Sequence, residues 1–107
     1  IPAGKLDSVD EDPLICAKRE LSEETGYTAN KYTQIHKLAT TVGFSNEWIY
    51  IYLAQDLVKG KQHTDDDEFI NLVEMPLSEA VDLVNKGEIF DAKSVVAILM
   101  AEKLCKQ

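Results

Sequence analysis

The chain has 107 residues, enough for one small domain with a single core, and 45% of them are apolar, as in a globular protein. Its 19 acidic and 11 basic residues give a net charge of −8, which disfavours binding to nucleic acid or to an anionic membrane surface. No segment has the apolar length of a membrane-spanning helix, and the two distant cysteines support neither a disulfide framework nor a zinc site. We therefore expect one soluble domain in a reducing, cytoplasmic setting, which would bind an anionic substrate only through metal ions.

The first predicted helix covers about residues 13–25. Asp12 followed by Pro13 is typical of an N-cap and a first helical position, and Gly26 is typical of the residue just past a helix end. The segment before it, IPAGKL, has no initiator methionine and reads as the end of a strand entering a glycine turn. We therefore expect the sequence to be the C-terminal part of a longer chain whose N-terminal strands are missing.

Two strands rich in β-branched and aromatic residues are predicted at 31–42 and 47–58, with the polar turn GFSN between them. Both faces of the second strand are apolar, so we expect both to be covered. An acidic loop then leads to a short strand at 69–75, a helix at 77–87 stopped by Gly87, and a helix at 91–106. This order predicts a single α/β sandwich domain over residues 1–107.

Three glutamates crowd the first helix beside its apolar stripe. Glu20, Glu23 and Glu24 are i,i+3 and i,i+4 neighbours, spacings at which like charges destabilise a helix by a few tenths of a kcal/mol. Arg19 can offset one of these charges, and carboxylates on a rigid helix are suitable ligands for Mg²⁺ or Mn²⁺. For an isolated E-x-x-E-E a solvated acidic face is the commoner situation. The residues alone leave a metal platform and a solvated face both open.

A wider set of residues resembles the signature of the Nudix hydrolases, which is a glycine, a spaced glutamate, and then R-E-aliphatic-x-E-E-x-G-apolar. The matching residues are Gly4, Glu11, Arg19, Glu20, Leu21, Glu23, Glu24, Gly26 and Tyr27. Six residues separate Gly4 from Glu11 where the family has five, an insertion that a loop can accommodate. The segments IPAGK, GFSNE, DEFI, PLSEA and DAKS are similar to the ADP-ribose pyrophosphatase branch, although Val42 stands where that branch usually has proline.

The resemblance implies a Nudix-type α/β/α sandwich with a mixed sheet. It also implies Mg²⁺-dependent hydrolysis, with Mn²⁺ as a substitute, of the diphosphate bond of ADP-ribose or a related nucleoside diphosphate sugar, giving AMP or another NMP and a sugar phosphate. The implied metal ligands are Glu20, Glu24 and the carbonyl of Ala3. Glu23 lies beside them as a catalytic candidate, and Arg19 would hold a box glutamate in position.

The resemblance further implies a general base on the acidic loop HTDDDEFI. Glu68 is the first candidate, as a base or as an additional metal ligand, and Asp66 is the second. The ordinary alternative for such a loop is a solvated surface. Gly43 and Phe44, in the hairpin turn, are the candidate substrate contacts.

Two other functions fit the same sequence. One is a Nudix-fold ligand-binding or regulatory module without hydrolase activity, and the other is a calcium-binding or structural acidic domain, whose candidate segments DSVDEDP and TDDDE lack the spacing of an EF-hand loop. The apolar hairpin faces predict association, so we expect a homodimer and no autonomous activity from residues 1–107 alone.

Overall fold

The computed structural model describes residues 1–4, 11–60 and 72–105. In chain order the elements are α1 (Pro13–Thr25), β1 (Tyr27–Ala39), β2 (Trp48–Lys59), α2 (Leu77–Asn85) and α3 (Ala92–Cys105). β1 and β2 pair with each other as an antiparallel hairpin. The predicted α/β class is confirmed. The mixed sheet remains a prediction, because the described ranges hold these two strands.

Helix α1 begins and ends where its capping residues predict. The side chain of Asp12 accepts a hydrogen bond from the backbone N–H of Leu14 at 2.9 Å, and Pro13 occupies the first turn, where a missing N–H costs nothing. At the other end Gly26 has a left-handed φ of 77°, and its N–H donates to the carbonyl of Ser22 at 2.9 Å. This is the bond of an αL cap, and it requires a backbone conformation that favours glycine.

The hairpin differs from its prediction at the start of the first strand. β1 begins at Tyr27, directly after the helix cap, whereas the composition of the strand predicted a start at residue 31. The turn is also wider than the predicted residues 43–46, because Thr40 N–H donates to Glu47 O at 3.3 Å and Thr41 O accepts two N–H groups within the loop. Gly43 has a φ of 88°, which allows the chain to reverse there.

The predicted strand at 69–75 is wrong over residues 72–75. These four residues have no regular structure and are exposed, while residues 69–71 lie outside the described ranges. A strand is stable only when a neighbour accepts its backbone hydrogen bonds, and Pro76 cannot donate one. The apolar composition of this segment was therefore insufficient evidence for a strand.

The two C-terminal helices have clear end signals. After α2, Glu88 N–H donates to Leu83 O at 2.9 Å and Gly87 N–H donates to Val84 O at 3.0 Å, which is the Schellman pattern that glycine permits at a φ of 78°. Before α3, one carboxylate oxygen of Asp91 accepts from Ser94 N–H at 3.2 Å. The predicted helices at 77–87 and 91–106 are thus confirmed to within two residues at each end.

Backbone contacts divide the chain into two compact units. The first contains Ile1–Thr33 with Ala54–Val73, and the second contains Gln34–Leu53 with Glu74–Gln107. In the first unit, the side chain of Cys16 is buried. In the second, α2 packs on α3, and the buried side chains are those of Ile51, Ala80, Val81 and Ala97.

The coverage of β2 varies along its length in the described residues. Ile51 is 6% exposed, but Trp48, three residues earlier, keeps 52% of its surface exposed. The expectation that both faces are covered is therefore wrong at Trp48. None of the described helices combines the length and the apolar character that crossing a bilayer requires.

Candidate functional site

The acidic face of α1 is covered in part by the segment 1–4. The carboxylate of Glu24 accepts a hydrogen bond from the backbone N–H of Ala3 at 3.0 Å. One turn earlier on the helix, the carboxylate of Glu20 lies against Gly4 so closely that a Cβ atom on residue 4 would overlap it. A side chain at position 4 would therefore displace the carboxylate of Glu20, which is the end of a flexible side chain. The fold thus brings together Ala3, Glu20 and Glu24, three of the predicted metal ligands.

Arg19 lies beside these glutamates and is partly buried, with 25% of its side chain exposed. Its guanidinium forms a close ion pair with Glu11, which is 13% exposed, and reaches Glu20 with a second nitrogen at 3.5 Å. It also lies 3.9 Å from Glu23, one turn along the helix. Because a planar guanidinium offers several donors in fixed directions, Arg19 can fix the side chain of Glu20 from one side while Glu11 fixes Arg19 from the other.

Several carboxylates of this cluster contact the same cation. Arg19 contacts the carboxylates of Glu11, Glu20 and Glu23. Glu23 is 47% exposed, so its contact with Arg19 is a solvated ion pair worth about 0–1 kcal/mol. A divalent cation at this face would lower the repulsion between neighbouring glutamates.

The donors present fit Mg²⁺ or Mn²⁺ better than zinc. In the part of the chain that the structure describes, no three His, Cys, Asp or Glu side chains converge to hold an ion. Mg²⁺ does not need such a cage, because it usually takes one or two carboxylates and completes its shell with waters and substrate phosphates. Glu20, Glu24 and the carbonyl of Ala3 supply oxygen donors of this kind, whereas zinc sites usually include histidine or cysteine ligands.

The remaining predicted site residues are the base candidates and the substrate contacts. Glu68 and Asp66, the base candidates, fall outside the described residues. Gly43 and Phe44 are in the hairpin turn, which belongs to the second compact unit. The ring of Phe44 is 91% exposed, and nothing lies within 4 Å of a Cβ atom built on Gly43. The turn thus presents an accessible aromatic ring and an open backbone.

Two residues that the sequence did not single out also contact the site. The thiol of Cys16, 5% exposed, lies 3.5 Å from the guanidinium of Arg19 and 4.0 Å from the carbonyl of Gly4. The hydroxyl of Thr25 bonds to the backbone on both sides of the helix end. Cys16 could have been identified from its position three residues before Arg19, about one helical turn away. Thr25 could have been identified because it places a hydroxyl next to the cap glycine.

The chain is similar to several known proteins. Residues 1–97 match the NUDIX domain family. The chain is 45% identical over 100 residues to the ADP-ribose pyrophosphatase of Bacillus subtilis (strain 168), and 42% identical over 100 residues to the methanol dehydrogenase activator of Bacillus methanolicus; each alignment covers 92% of this chain and 54% of the relative. It is 37% identical over 99 residues to the GDP-mannose pyrophosphatase of Cronobacter sakazakii (strain ATCC BAA-894), covering 90% of this chain and 51% of that protein.

A solved structure agrees with the sequence relatives. The crystal structure of an ADP compounds hydrolase superposes with a TM-score of 0.80 at 30% identity, covering 94% of this chain and 54% of that one. The chain therefore spans about half the length of the relatives it matches. With a family match over most of its residues and a shared fold, this chain belongs to the Nudix domain family.

Proposed function

We propose that the protein hydrolyses the diphosphate bond of ADP-ribose or a related nucleoside diphosphate sugar, giving AMP or another NMP and a sugar phosphate. The observation that carries this proposal is the pair Glu20 and Glu24, one helical turn apart and braced by Gly4, Ala3 and Arg19. The relatives named as ADP-ribose and GDP-mannose pyrophosphatases support the same substrate class.

The proposed roles follow from the contacts. Bound Mg²⁺, or Mn²⁺ in its place, would neutralise diphosphate charge and lower the pKa of a bound water. Glu20, Glu24 and the carbonyl of Ala3 would hold the ion. Arg19 would keep Glu20 in place, as its 3.5 Å contact supports.

Proton transfer and substrate binding require further residues. We assign the general base to Glu68, with Glu23 as the second carboxylate close to the ion, because Glu23 is half exposed and lies on the same helix as the proposed ligands. Phe44, with its exposed ring, would contact the nucleotide or the sugar. These assignments are testable by separate variants, because each predicts a loss in a different kinetic constant.

Because the chain is strongly acidic, we expect it to need a metal ion in order to bind this anionic substrate. A diphosphate is anionic, and the chain carries a net charge of −8, so direct binding would be repulsive without a neutralising cation. We therefore expect turnover to depend on the divalent ion in both binding and chemistry. A module that only recognised such a ligand would more simply use arginine and lysine.

A second function is favoured by one relative. The 42% identical protein from Bacillus methanolicus is named as an activator of methanol dehydrogenase, which is a regulatory role. The alternative for this chain is accordingly a Nudix-fold ligand-binding or regulatory module without hydrolase activity. The braced pair of Glu20 and Glu24 supports the hydrolase, because a module that only binds a partner has no evident need for a carboxylate pair held against Gly4.

The test is a product assay with matched metals. The protein is incubated with ADP-ribose and, separately, with GDP-mannose, each with Mg²⁺, Mn²⁺ or Ca²⁺, and the products are identified by ³¹P NMR. We expect AMP and ribose phosphate from ADP-ribose with Mg²⁺ or Mn²⁺ and little product with Ca²⁺. Absence of a nucleoside monophosphate from both substrates with every ion would refute the hydrolase proposal and favour the regulatory module.

We further propose that the protein is a homodimer in the cytoplasm. In the described residues neither Cys16 nor Cys105 forms a disulfide, which fits a reducing compartment, and large exposed apolar side chains fit a subunit contact. Cell fractionation tests the location, and the mass measured by light scattering tests the oligomeric state.

A further inference from the structure

Hydrogen bonds of Thr25 and Gly26 connect the end of α1 to the hairpin. The hydroxyl of Thr25 donates to the carbonyl of Leu21 at 2.6 Å and accepts from the N–H of Tyr27, the first residue of β1, at 3.0 Å. One residue later, the carbonyl of Gly26 accepts from the N–H of Gly60 at 2.6 Å, just after the end of β2. Thus both strands of the hairpin are tied to the last turn of the helix at one point.

This junction adjoins a proposed metal ligand. Glu24 is the residue before Thr25, and it lies in the last turn of α1, where helices fray because their final carbonyls have no partner within the helix. From the segment 1–4, the N–H of Ala3 donates to the carboxylate of Glu24. The αL cap of Gly26 satisfies one carbonyl of this turn, and further bonds at the helix end would help a ligand there to keep the geometry that a metal requires.

Both bonds of Thr25 follow ordinary local patterns of threonine. Its hydroxyl bonds to the carbonyl of Leu21, four residues earlier, and accepts from the N–H of Tyr27, two residues later, as in an ST turn. What matters is where they lie, because one bond ends in the last turn of α1 and the other at the first residue of β1. The two bonds together join the helical turn that follows Glu20 to β1, so they set the direction in which the chain leaves the helix.

The space around the junction allows little adjustment. A Cβ atom on Gly60 would lie 3.0 Å from the carbonyl oxygen of Gly26, tighter than a normal contact. Gly60 therefore lies close against the backbone of Gly26, and a larger residue at position 60 would displace one of the two by a few tenths of an ångström.

We propose that Thr25 is a positioning residue for the metal site, holding Glu24 in place by bonding the last turn of α1 to β1. This inference rests on the proposed function in one respect, that Glu24 is a metal ligand. It assigns no contact between Thr25 and the ion or the substrate.

The experiment measures ion binding without substrate. Binding of Mn²⁺ is followed by the electron paramagnetic resonance signal of the free ion, for the wild type and for Thr25→Val, which keeps the branched shape and removes the hydroxyl. Thr25→Ala is a second variant in case valine does not fold, and Thr25→Ser is the rescue variant because it restores the hydroxyl. The matched control is Thr28→Val, the same change at an exposed position of β1.

We expect Thr25→Val and Thr25→Ala to weaken Mn²⁺ binding about fivefold, the size of one ordinary hydrogen bond. Thr25→Ser should stay within about twofold of the wild type, and Thr28→Val should bind like the wild type. Circular dichroism melts of the same samples show whether each variant is folded at the temperature of the titration, so a loss of affinity is compared only among folded proteins.

Three results would overturn the inference: unchanged Mn²⁺ binding in Thr25→Val, an equal loss in Thr25→Ser, or no Mn²⁺ binding by the wild type. The proposed function fails in a different way. If the wild type binds Mn²⁺ and the valine variant binds it more weakly, but neither hydrolyses a nucleoside diphosphate sugar, the positioning role stands and the hydrolase assignment does not.

Discussion

Single side chains of α1 carry most of the argument for a metal site, and Glu24 is the one that can be changed with the least disturbance. Its carboxylate accepts the N–H of Ala3 at 3.0 Å, and an amide oxygen could accept the same bond. Glu24→Gln therefore keeps the shape and the brace while removing the charge that would bind a cation. We expect kcat to fall by about 100-fold or more, since even partners outside the ligand set cost 10–100-fold in metal sites.

The stability of Glu24→Gln should rise or stay unchanged, although its activity falls. The substitution removes one like-charge repulsion with Glu20, so the melting temperature of Glu24→Gln should equal or exceed that of the wild type. Glu79→Gln, at an exposed position in the first turn of α2, is the matched control. Near-normal activity of Glu24→Gln at saturating Mg²⁺ would contradict the metal site.

Gly4 offers a second test at this scale, since a side chain there is excluded by Glu20. In Gly4→Ala the new methyl group would overlap the Glu20 carboxylate, which must then turn away from the segment 1–4. We expect weaker Mn²⁺ binding, by about 10-fold, with little change in melting temperature because residue 4 is exposed. If Gly4→Ala binds Mn²⁺ as the wild type does, the position of Glu20 against Gly4 is not needed for the site.

At the scale of helices and strands, sequence and structure agree where the determinants are local. The bounds of α1 follow from Asp12, Pro13 and Gly26, because each of these residues acts on neighbours within one turn. The start of β1 does not follow from composition, since it depends on the pairing of Gly26 with Gly60 across the chain.

The same distinction applies to the site. Helical spacing predicted that Glu20 and Glu24 share a face, but only the resemblance to a family suggested that the segment 1–4 meets them. The contacts of Ala3 and Gly4 with these glutamates join residues 16–21 positions apart, and no local pattern encodes them. The pairing of Arg19 with Glu11 is also non-local, and it was not predicted.

The start of α3 provides a prediction about pH. Hydrogen bonds from the Ser94 side chain and from Lys93 lower the pKa of Asp91 from 3.8 to about 2. Because the folded pKa is below the unfolded one, the ionised cap stabilises the fold above pH 3.8, and this contribution is lost as the pH falls through about 2. Asp91→Asn can still cap the helix but cannot titrate.

We therefore expect the melting temperature of the wild type to fall more steeply below pH 3.8 than that of Asp91→Asn, while the two differ little in slope near neutral pH. Thermal melts by circular dichroism over this range measure the difference, with Asp82→Asn on the exposed side of α2 as the control. The effect should be small because Asp91 is solvated, and equal slopes for wild type and Asp91→Asn would show that the cap does not titrate as described.

For the whole molecule, the balance between buried and exposed apolar surface is the main observation. The buried apolar side chains of the described residues are those of Cys16, Ile51, Ala80, Val81 and Ala97. Several larger ones are outside this core: Val42 and Phe90 are each 85% exposed and Phe44 is 91% exposed. A protein that leaves such groups in water is marginally stable unless another surface covers them.

We expect a homodimer that covers the exposed face of the hairpin. Trp48 is the single tryptophan of the chain and keeps 52% of its surface exposed, so its fluorescence reports this face without labelling. The protein should have twice the monomer mass by light scattering at micromolar concentration. On dilution the mass should halve while Trp48 emission shifts to longer wavelength, because the indole becomes exposed to water.

Added salt should strengthen the dimer, since two chains with a net charge of −8 each repel at low ionic strength. A monomer mass at all concentrations would contradict the dimer, and a halving of mass without any change in Trp48 emission would place the subunit contact away from the hairpin.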